Sequence, residues 1–176
     1  NEVVWHIENQ PDFIGASGSI IINESGTFQC ELEVSTVEGC SNNATFELTV
    51  FPKPVISFTT EKFCPNEFVV FNPVNSISTQ ISNFNWLGDS GNFSSTSPNP
   101  TYLFGVAGNY TVTLKVEDQN GCKDTIIQNV RIQEGPLVDF SIVNPCEKQT
   151  VEFLSGTSIS DTLSISSYQW NTSDGA

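Results

Sequence analysis

The sequence is short of the groups on which most catalytic and nucleic-acid-binding proteins rely. It has one histidine, no methionine, and six Lys plus Arg against twenty Asp plus Glu, a formal net charge of −14 over 176 residues. So few basic groups provide no stripe to neutralise phosphates, and the excess of carboxylates repels DNA and anionic lipid, so neither nucleic acid nor a membrane surface is an expected partner. Long apolar runs are missing too. Ile20-Ile21-Ile22 is typical of what is there, far below the ~20 residues that span a bilayer. Asn1-Glu2-Val3-Val4-Trp5 has neither the basic region nor the apolar stretch of a targeting peptide. Without an initiator Met, the chain is expected to be a piece of something longer.

Catalysis and metal binding are equally under-supplied. His6, beside Trp5, is the only imidazole, and a Ser/His/Asp or Cys/His site would need partners that are not conspicuous. A structural histidine is the expectation, and the chain is not expected to be an enzyme. No Cys-x-x-Cys and no histidine pair is present for zinc. Glu31 and Glu33 alternate outward on one strand as solvated charge. The oxygen-rich group Asp118, Asn120 and Asp124 is the one set worth weighing for calcium, although Asp-Asn-Gly clusters are also ordinary hairpin turns. No other cofactor is expected.

What remains is rich in short Val-, Ile- and Phe-bearing runs separated by Asn, Ser, Gly and Pro, the texture of strands and turns. No stretch of twelve residues has helical periodicity. An all-β fold follows.

The chain repeats itself. Gly26-Thr27-Phe28-Gln29-Cys30-Glu31-Leu32-Glu33-Val34 with Gly39-Cys40 aligns without a gap on Gly108-Asn109-Tyr110-Thr111-Val112-Thr113-Leu114-Lys115-Val116 with Gly121-Cys122, 82 positions on. Val55-Ile56-Ser57-Phe58 with Cys64 resembles Val138-Asp139-Phe140-Ser141 with Cys146; Val55 and Val138 stand 83 apart, and Cys64 and Cys146 again 82. Trp5, Trp86 and Trp170 keep nearly the same beat. A fixed period signals an array of modules. Phe51-Pro52-Lys53-Pro54 and Glu134-Gly135-Pro136 punctuate it as short, stiff linkers. The expected division is the C-terminal part of one module over 1–52, a complete module over 53–135, and the N-terminal part of a third over 136–176. Truncated parts expose core and sheet edge, so both ends are expected to be stable only with their missing halves.

In the complete module about seven strands are expected, near 55–60, 67–72, 81–87, 92–95, 101–104, 109–117 and 124–132, enough for a two-sheet sandwich. Tyr110, Val112, Leu114 and Val116 alternate with Thr111, Thr113 and Lys115, which predicts one buried and one wet face. Trp5, Trp86 and Trp170 occupy the predicted core position of each module, with Phe84 beside Trp86.

Asn85-Trp86-Leu87-Gly88-Asp89-Ser90-Gly91, then Ser97-Pro98-Asn99-Pro100-Thr101-Tyr102, then Gly108-Asn109-Tyr110-Thr111-Val112-Thr113-Leu114-Lys115-Val116 resembles the PKD domain, whose pattern runs W-x-F-G-D-G, a Pro-rich step to an aromatic, then G-x-Y-x-V-x-L-x-V. Leu87 replaces the aromatic and Ser90 intervenes before Gly91, altering the turn after Asp89. Trp170 and Asp174-Gly175 keep the pattern in the third module. Glu24-Ser25-Gly26-Thr27-Phe28-Gln29-Cys30 resembles the D-x-G-x-Y-x-C corner of Ig domains with Phe in place of Tyr. The resemblance implies tandem Ig-like/PKD-like β-sandwiches in an extended array.

Within such a module, Cys64 and Cys122 are positioned to tie the two ends together. The loop they enclose would contribute roughly 4 kcal/mol by chain entropy. Cys40 and Cys146 would then bond partners outside the segment. Cys30 is left with three readings: an Ig-type partner upstream, a bridge to Cys40, or a buried free thiol. Disulfides in small tandem domains imply an extracellular location.

Tandem acidic modules with a Gly-Cys turn, as at Asn120-Gly121-Cys122-Lys123-Asp124, look most like the repeat regions of giant flavobacterial (Bacteroidota) cell-surface adhesins of gliding motility. That resemblance implies type IX secretion and a stalk whose partners are neighbouring repeats, surface polysaccharide, and the secretion and motility machinery. Asp124-Thr125-Ile126 and Asp161-Thr162-Leu163 resemble the O-glycosylation motif of that phylum, marking Thr125 and Thr162. Asn-x-Ser/Thr triplets begin at Asn23, Asn43, Asn92, Asn109 and Asn171. The alternative reading is accessory modules of a secreted polysaccharide hydrolase or protease. Homotypic assembly into a fibre is a third, for which the sequence has no discriminating mark.

Overall fold

The computed structural model describes residues 2–76, 80–159 and 164–171. Among the described residues thirteen strands carry the fold: β1 (Glu2–Ile7), β2 (Phe13–Ile14), β3 (Gly26–Ser35), β4 (Ser41–Val50), β5 (Ile56–Glu61), β6 (Phe68–Asn75), β7 (Ile81–Gly88), β8 (Phe93–Ser95), β9 (Thr101–Leu103), β10 (Gly108–Asp118), β11 (Lys123–Ile132), β12 (Phe140–Val143) and β13 (Glu152–Ser155). One 3₁₀ turn, Asp89–Gly91, interrupts them. The architecture is all-β, as the alternating sequence predicts, and is the Ig-like/PKD-like sandwich that the resemblance implies. Each of the seven expected central strands has its counterpart in β5–β11.

Two compact units can be distinguished, Asn1–Ile56 with Asn75–Phe84 and Lys115–Thr125, and Ser57–Val74 with Asn85–Leu114 and Ile126–Ala176. The first contains an antiparallel sheet in the order β2-β1-β3-β4. Ile7, Phe28 and Cys30 form its small core, with Phe13, Ile20, Ile22, Leu48 and Val50 packed around them. Trp5 faces Phe13 across the β1–β2 pair, and the two rings stack at 5.7 Å.

The second unit has a larger aromatic core. Phe58 on β5 and Phe71 on β6 lie 5.2 and 5.5 Å from Trp86 on β7. Phe93 stacks on Phe71 at 5.0 Å, and Phe104 joins Tyr102 and Tyr110. The strand orders through this region are β5-β6-β9 and β11-β10-β7-β8. On β10 Val112 and Leu114 are buried while Thr111 and Lys115 are not, because a period of two sends alternate side chains to opposite faces. The Gln128 side chain accepts from Phe58 N–H at 2.9 Å and donates to Phe58 C=O at 3.2 Å, so a side chain completes backbone pairing between strands of different sheets. β12 and β13 form a separate antiparallel hairpin.

The 82-residue period extends to individual hydrogen bonds. Thr36 N–H donates to Cys40 C=O at 2.8 Å, and Asp118 N–H to Cys122 C=O at 2.9 Å. Ser76 N–H donates to Val55 C=O, and Ser158 N–H to Leu137 C=O, both at 3.0 Å. Gly39 and Gly121 share a left-handed backbone, φ 85° and 82°. So do Lys62 and Asn144, and Asn66 and Lys148. The order β2-β1-β3-β4 is that of β8-β7-β10-β11. Equal loop lengths impose equal turn geometry, which sets strand register.

Candidate functional site

The two loops that sequence reasoning singled out are organised around buried or half-buried carboxylates. After β7, Asp89 and Ser90 are both left-handed, φ 46° and 52°, and Gly91 follows at φ 100°. Two successive non-glycine residues in that region store backbone strain. What holds them is the Tyr102 hydroxyl, which donates to Asp89 Oδ2 at 2.7 Å. That bond to a carboxylate, helped by burial, keeps the Tyr102 phenol above its ordinary pKa. Gly88 is closely packed, since a Cβ there would stand 3.0 Å from Phe93 Cδ1 and 3.1 Å from Val112 Cγ2 and both side chains would have to give way. An open groove of about 460 Å³ adjoins the loop, lined by Leu87, Asp89, Ser90, Asn109, Tyr110 and Thr113 among others. It holds no histidine, cysteine or lysine that could act as base or nucleophile.

The β10–β11 turn uses Asp118 internally. Asp118 is buried, and its Oδ1 accepts from the N–H groups of Asn120 and Cys122, each at 2.9 Å. Its Oδ2 is buried without a hydrogen-bond partner. Asp124 points elsewhere, taking Lys53 Nζ at 2.8 Å and Ile56 N–H at 3.4 Å. Burial pushes the Asp124 carboxyl up, but Lys53 and the backbone N–H groups of Thr125 and Ile56 outweigh it and hold it below the usual carboxylate range. Of the oxygens weighed for calcium, Asp118 Oδ1 is engaged within the turn and Asp124 with Lys53 and Ile56, while Asp118 Oδ2 has no partner. Among the described residues no group of three His, Cys, Asp or Glu is arranged to hold a metal ion.

His6 sits between carboxylates, Nδ1 2.9 Å from Asp12 and Nε2 4.0 Å from Glu33, with no nucleophile in the pair of contacts. Trp86 is fully buried, Trp5 and Tyr110 are half-buried, and Trp170 is exposed. Tyr110 adds something the sequence did not signal: its hydroxyl donates to Val106 C=O at 2.8 Å, pinning the start of β10. Phe28, at the equivalent place in β3, has no hydroxyl for such a bond. Thr125 is exposed on β11, and Thr162 lies outside the described residues.

The bridge expected between Cys64 and Cys122 is absent, and all five thiols are free, with Cys30 buried and Cys40, Cys64 and Cys146 exposed. Position within the module alone suggested that bridge, and it fixes neither the Cα separation nor the Cβ directions that a disulfide requires. Cys30 is buried and is not bridged to Cys40.

The strained Asp89-Ser90-Gly91 loop thus follows the strand of the buried Trp86, and the Gly108-Asn109-Tyr110 strand start shares its groove. Residues 52–134 match the PKD domain family. Among solved structures, the PKD1 domain of the Vibrio cholerae metalloprotease PrtV is 28% identical, covering 47% of this chain and 98% of that one, with a TM-score of 0.37. Fibronectin(III)-like modules of Clostridium thermocellum CbhA are 14% identical over 76% of this chain and 78% of theirs, TM-score 0.37. The amphioxus IgVJ-C2 molecule is 13% identical over 74% and 87%, TM-score 0.35. No curated protein matches the chain. PKD domains are generally non-catalytic modules typical of extracellular proteins. Among the described residues no helix is long and apolar enough to cross a membrane.

Proposed function

We propose that the chain is a repeat segment from the stalk of a large secreted cell-surface adhesin or filament, acting in surface attachment or gliding motility without chemistry of its own. The observation that carries this reading is the 82-residue recurrence of the same hydrogen bonds and left-handed residues, because only repeated modules reproduce turn geometry so closely. The division at 1–52, 53–135 and 136–176 belongs to the same reading, with neighbouring repeats as the chain's first partners and surface polysaccharide or motility machinery as the more distant ones. A flavobacterial source, type IX export and O-glycosylation at Thr125 rest on the sequence resemblance. Net charge suits the role, since like-charged modules repel and stay soluble.

The test is the mass of the intact native polypeptide, with peptide sequencing outward from both ends of this segment. A chain of several hundred kilodaltons built from further repeats of this length is the expected result. A shorter chain carrying a non-repetitive catalytic domain would overturn it and make these modules accessories of a hydrolase or protease.

A further inference from the structure

The tip of the β10–β11 hairpin combines a reactive amide with a turn that restrains it. Asn120 is followed by Gly121, and no other asparagine of the chain precedes a glycine. Asn120 is exposed, and among the described residues its carboxamide makes no hydrogen bond, only its backbone N–H being engaged, by Asp118 Oδ1 at 2.9 Å. Gly121 is left-handed, φ 82°, with nothing within 4 Å of where a Cβ would stand. Without a Cβ its backbone nitrogen can approach the Asn120 side chain closely. Other asparagines are less free. Asn43 donates to Glu31, Asn99 to the Phe71 carbonyl and Asn72, and Asn129 accepts from Thr111, and each of the three precedes a residue that has a Cβ.

We propose that Asn120 is a site of spontaneous modification, deamidating through a cyclic imide with Gly121 to leave aspartate or isoaspartate at the hairpin tip. The Gly121 nitrogen loses its proton to solvent base and bonds to Asn120 Cγ. The Cγ–Nδ2 bond breaks, and the nitrogen takes up a proton and leaves as ammonia. Water then opens the imide at Cγ to give aspartate, or at the α-carbonyl to give isoaspartate, whose main chain runs through Cβ and Cγ. No oxidant or reductant takes part. Gly121 N–H donates to Asp118 C=O at 3.1 Å, so the turn must open before the nitrogen is released. Asp118 Oδ1 holds it closed through the N–H groups of Asn120 and Cys122, which makes Asp118 a brake on the reaction. The two products differ in effect. The equivalent turn 82 positions earlier has Glu38 in this place and keeps the Gly39 N–H to Thr36 C=O bond at 3.0 Å, so a carboxylate there is compatible with a closed turn. Isoaspartate inserts its Cβ into the main chain and breaks the spacing on which the Asp118 bonds depend. Either product adds negative charge to a chain already at −14. This inference goes beyond the stalk reading and does not rest on it.

Prolonged incubation of the 176-residue chain in mildly alkaline buffer, followed by peptide mapping and an ammonia assay, tests it. Wild type is expected to convert at Asn120 ahead of every other asparagine, with ammonia released in equal amount and both aspartate and isoaspartate peptides recovered. Asp118→Ala should convert about tenfold faster, the factor by which a loss of about 1.4 kcal/mol raises the population of open turns. Asp118→Thr, which keeps the bond to Cys122 N–H, should be accelerated less, and it carries the test if the Ala variant does not fold. Asn120→Gln, whose imide would need a larger ring, should release no ammonia over the same period. An Asn120 still intact in the native chain when the urea-unfolded chain has converted in full overturns the proposal. So does earlier conversion at another asparagine, ammonia release that survives Asn120→Gln, or a rate that neither Asp118 variant changes.

Discussion

The Trp86 indole N–H donates to the Ser97 carbonyl at 3.0 Å, and the Trp5 indole N–H donates to the Gly15 carbonyl at the same distance. Each tryptophan thus spans the short strand that follows its own, closing the sheet edge; the Trp86 ring fills the core, while the Trp5 ring is half-buried and stacks on Phe13. Buried indole N–H groups need a partner, and this bond selects one rotamer for the ring. Trp86→Phe should therefore cost more than its lost area, about 2–4 kcal/mol from the cavity and the unpaired Ser97 carbonyl together. Urea unfolding followed by circular dichroism would show it. A loss under about 1 kcal/mol would mean that the bond and the packing are both dispensable.

Gly88 is held by space. With Phe93 and Val112 at 3.0 and 3.1 Å from where a Cβ would stand, Gly88→Ala should destabilise by about 1–3 kcal/mol, as overpacking does. Gly105 has nothing within 4 Å of its Cβ position, so Gly105→Ala should be neutral or slightly stabilising. Equal thermal midpoints for the two variants would count against this account.

How much of this was legible beforehand depends on what fixed each feature. Strands β5–β11 were readable because alternation of apolar and polar residues is a local signal, clearest from Tyr110 to Val116. The recurrence of turns was readable because the loop lengths recur. The work of Asp118 was not, since an Asp followed three residues on by Gly fits a solvated turn, a cation ligand or a buried acceptor equally well. Only the burial of that particular turn decides it. The Asp89–Tyr102 bond also escaped notice, although Asp89 stands in the motif that resembles PKD domains. Its partner is thirteen residues away on a strand of another sheet, and no periodicity reports that distance.

Asp118 supplies a graded test. Asp118→Ala removes an acceptor from two backbone N–H groups and should cost about 2 kcal/mol, within the range for bonds to a charged group. Asp118→Thr should recover part of that, because Thr36, the equivalent residue 82 positions earlier, accepts from Cys40 N–H through its Oγ1 at 3.3 Å. Amide exchange at Asn120 and Cys122 reads the change directly. Both should speed up in the Ala variant, but only Asn120 in the Thr variant. Unchanged exchange at Asn120 and Cys122 in the Ala variant would show that Asp118 does not organise the turn.

Asp124 makes stability depend on pH with a definite sign. Its folded carboxyl lies below the ordinary value of 3.8, so folding favours the ionised form. The contribution is fully present above that ordinary value and is lost as pH falls through the lowered folded one. Lys53 is largely exposed, so screening should keep the gain to no more than about 1 kcal/mol. Asp124→Asn should be less stable than wild type at pH 6, and the gap should narrow steadily toward pH 2. A gap that did not change with pH would mean that the Lys53 contact contributes no charge-dependent stability.

Thiol chemistry separates the five cysteines by burial. Burial raises the Cys30 thiol, and a backbone hydrogen bond with Leu48 opposes this only in part. Since the thiolate is the nucleophile, Cys30 should be the slowest to react with a disulfide reagent near pH 8. Cys40, Cys64 and Cys146, all exposed, should react within the first fast phase, with Cys122 between. In urea, without any reductant, all five should react at one rate. Fewer than five reactive thiols under those conditions would reveal a bridge and restore Cys64 and Cys122 as its first candidates. Five, with a single slow one in the native state, would place the module's stability in its aromatic core and buried turns instead of a cross-link.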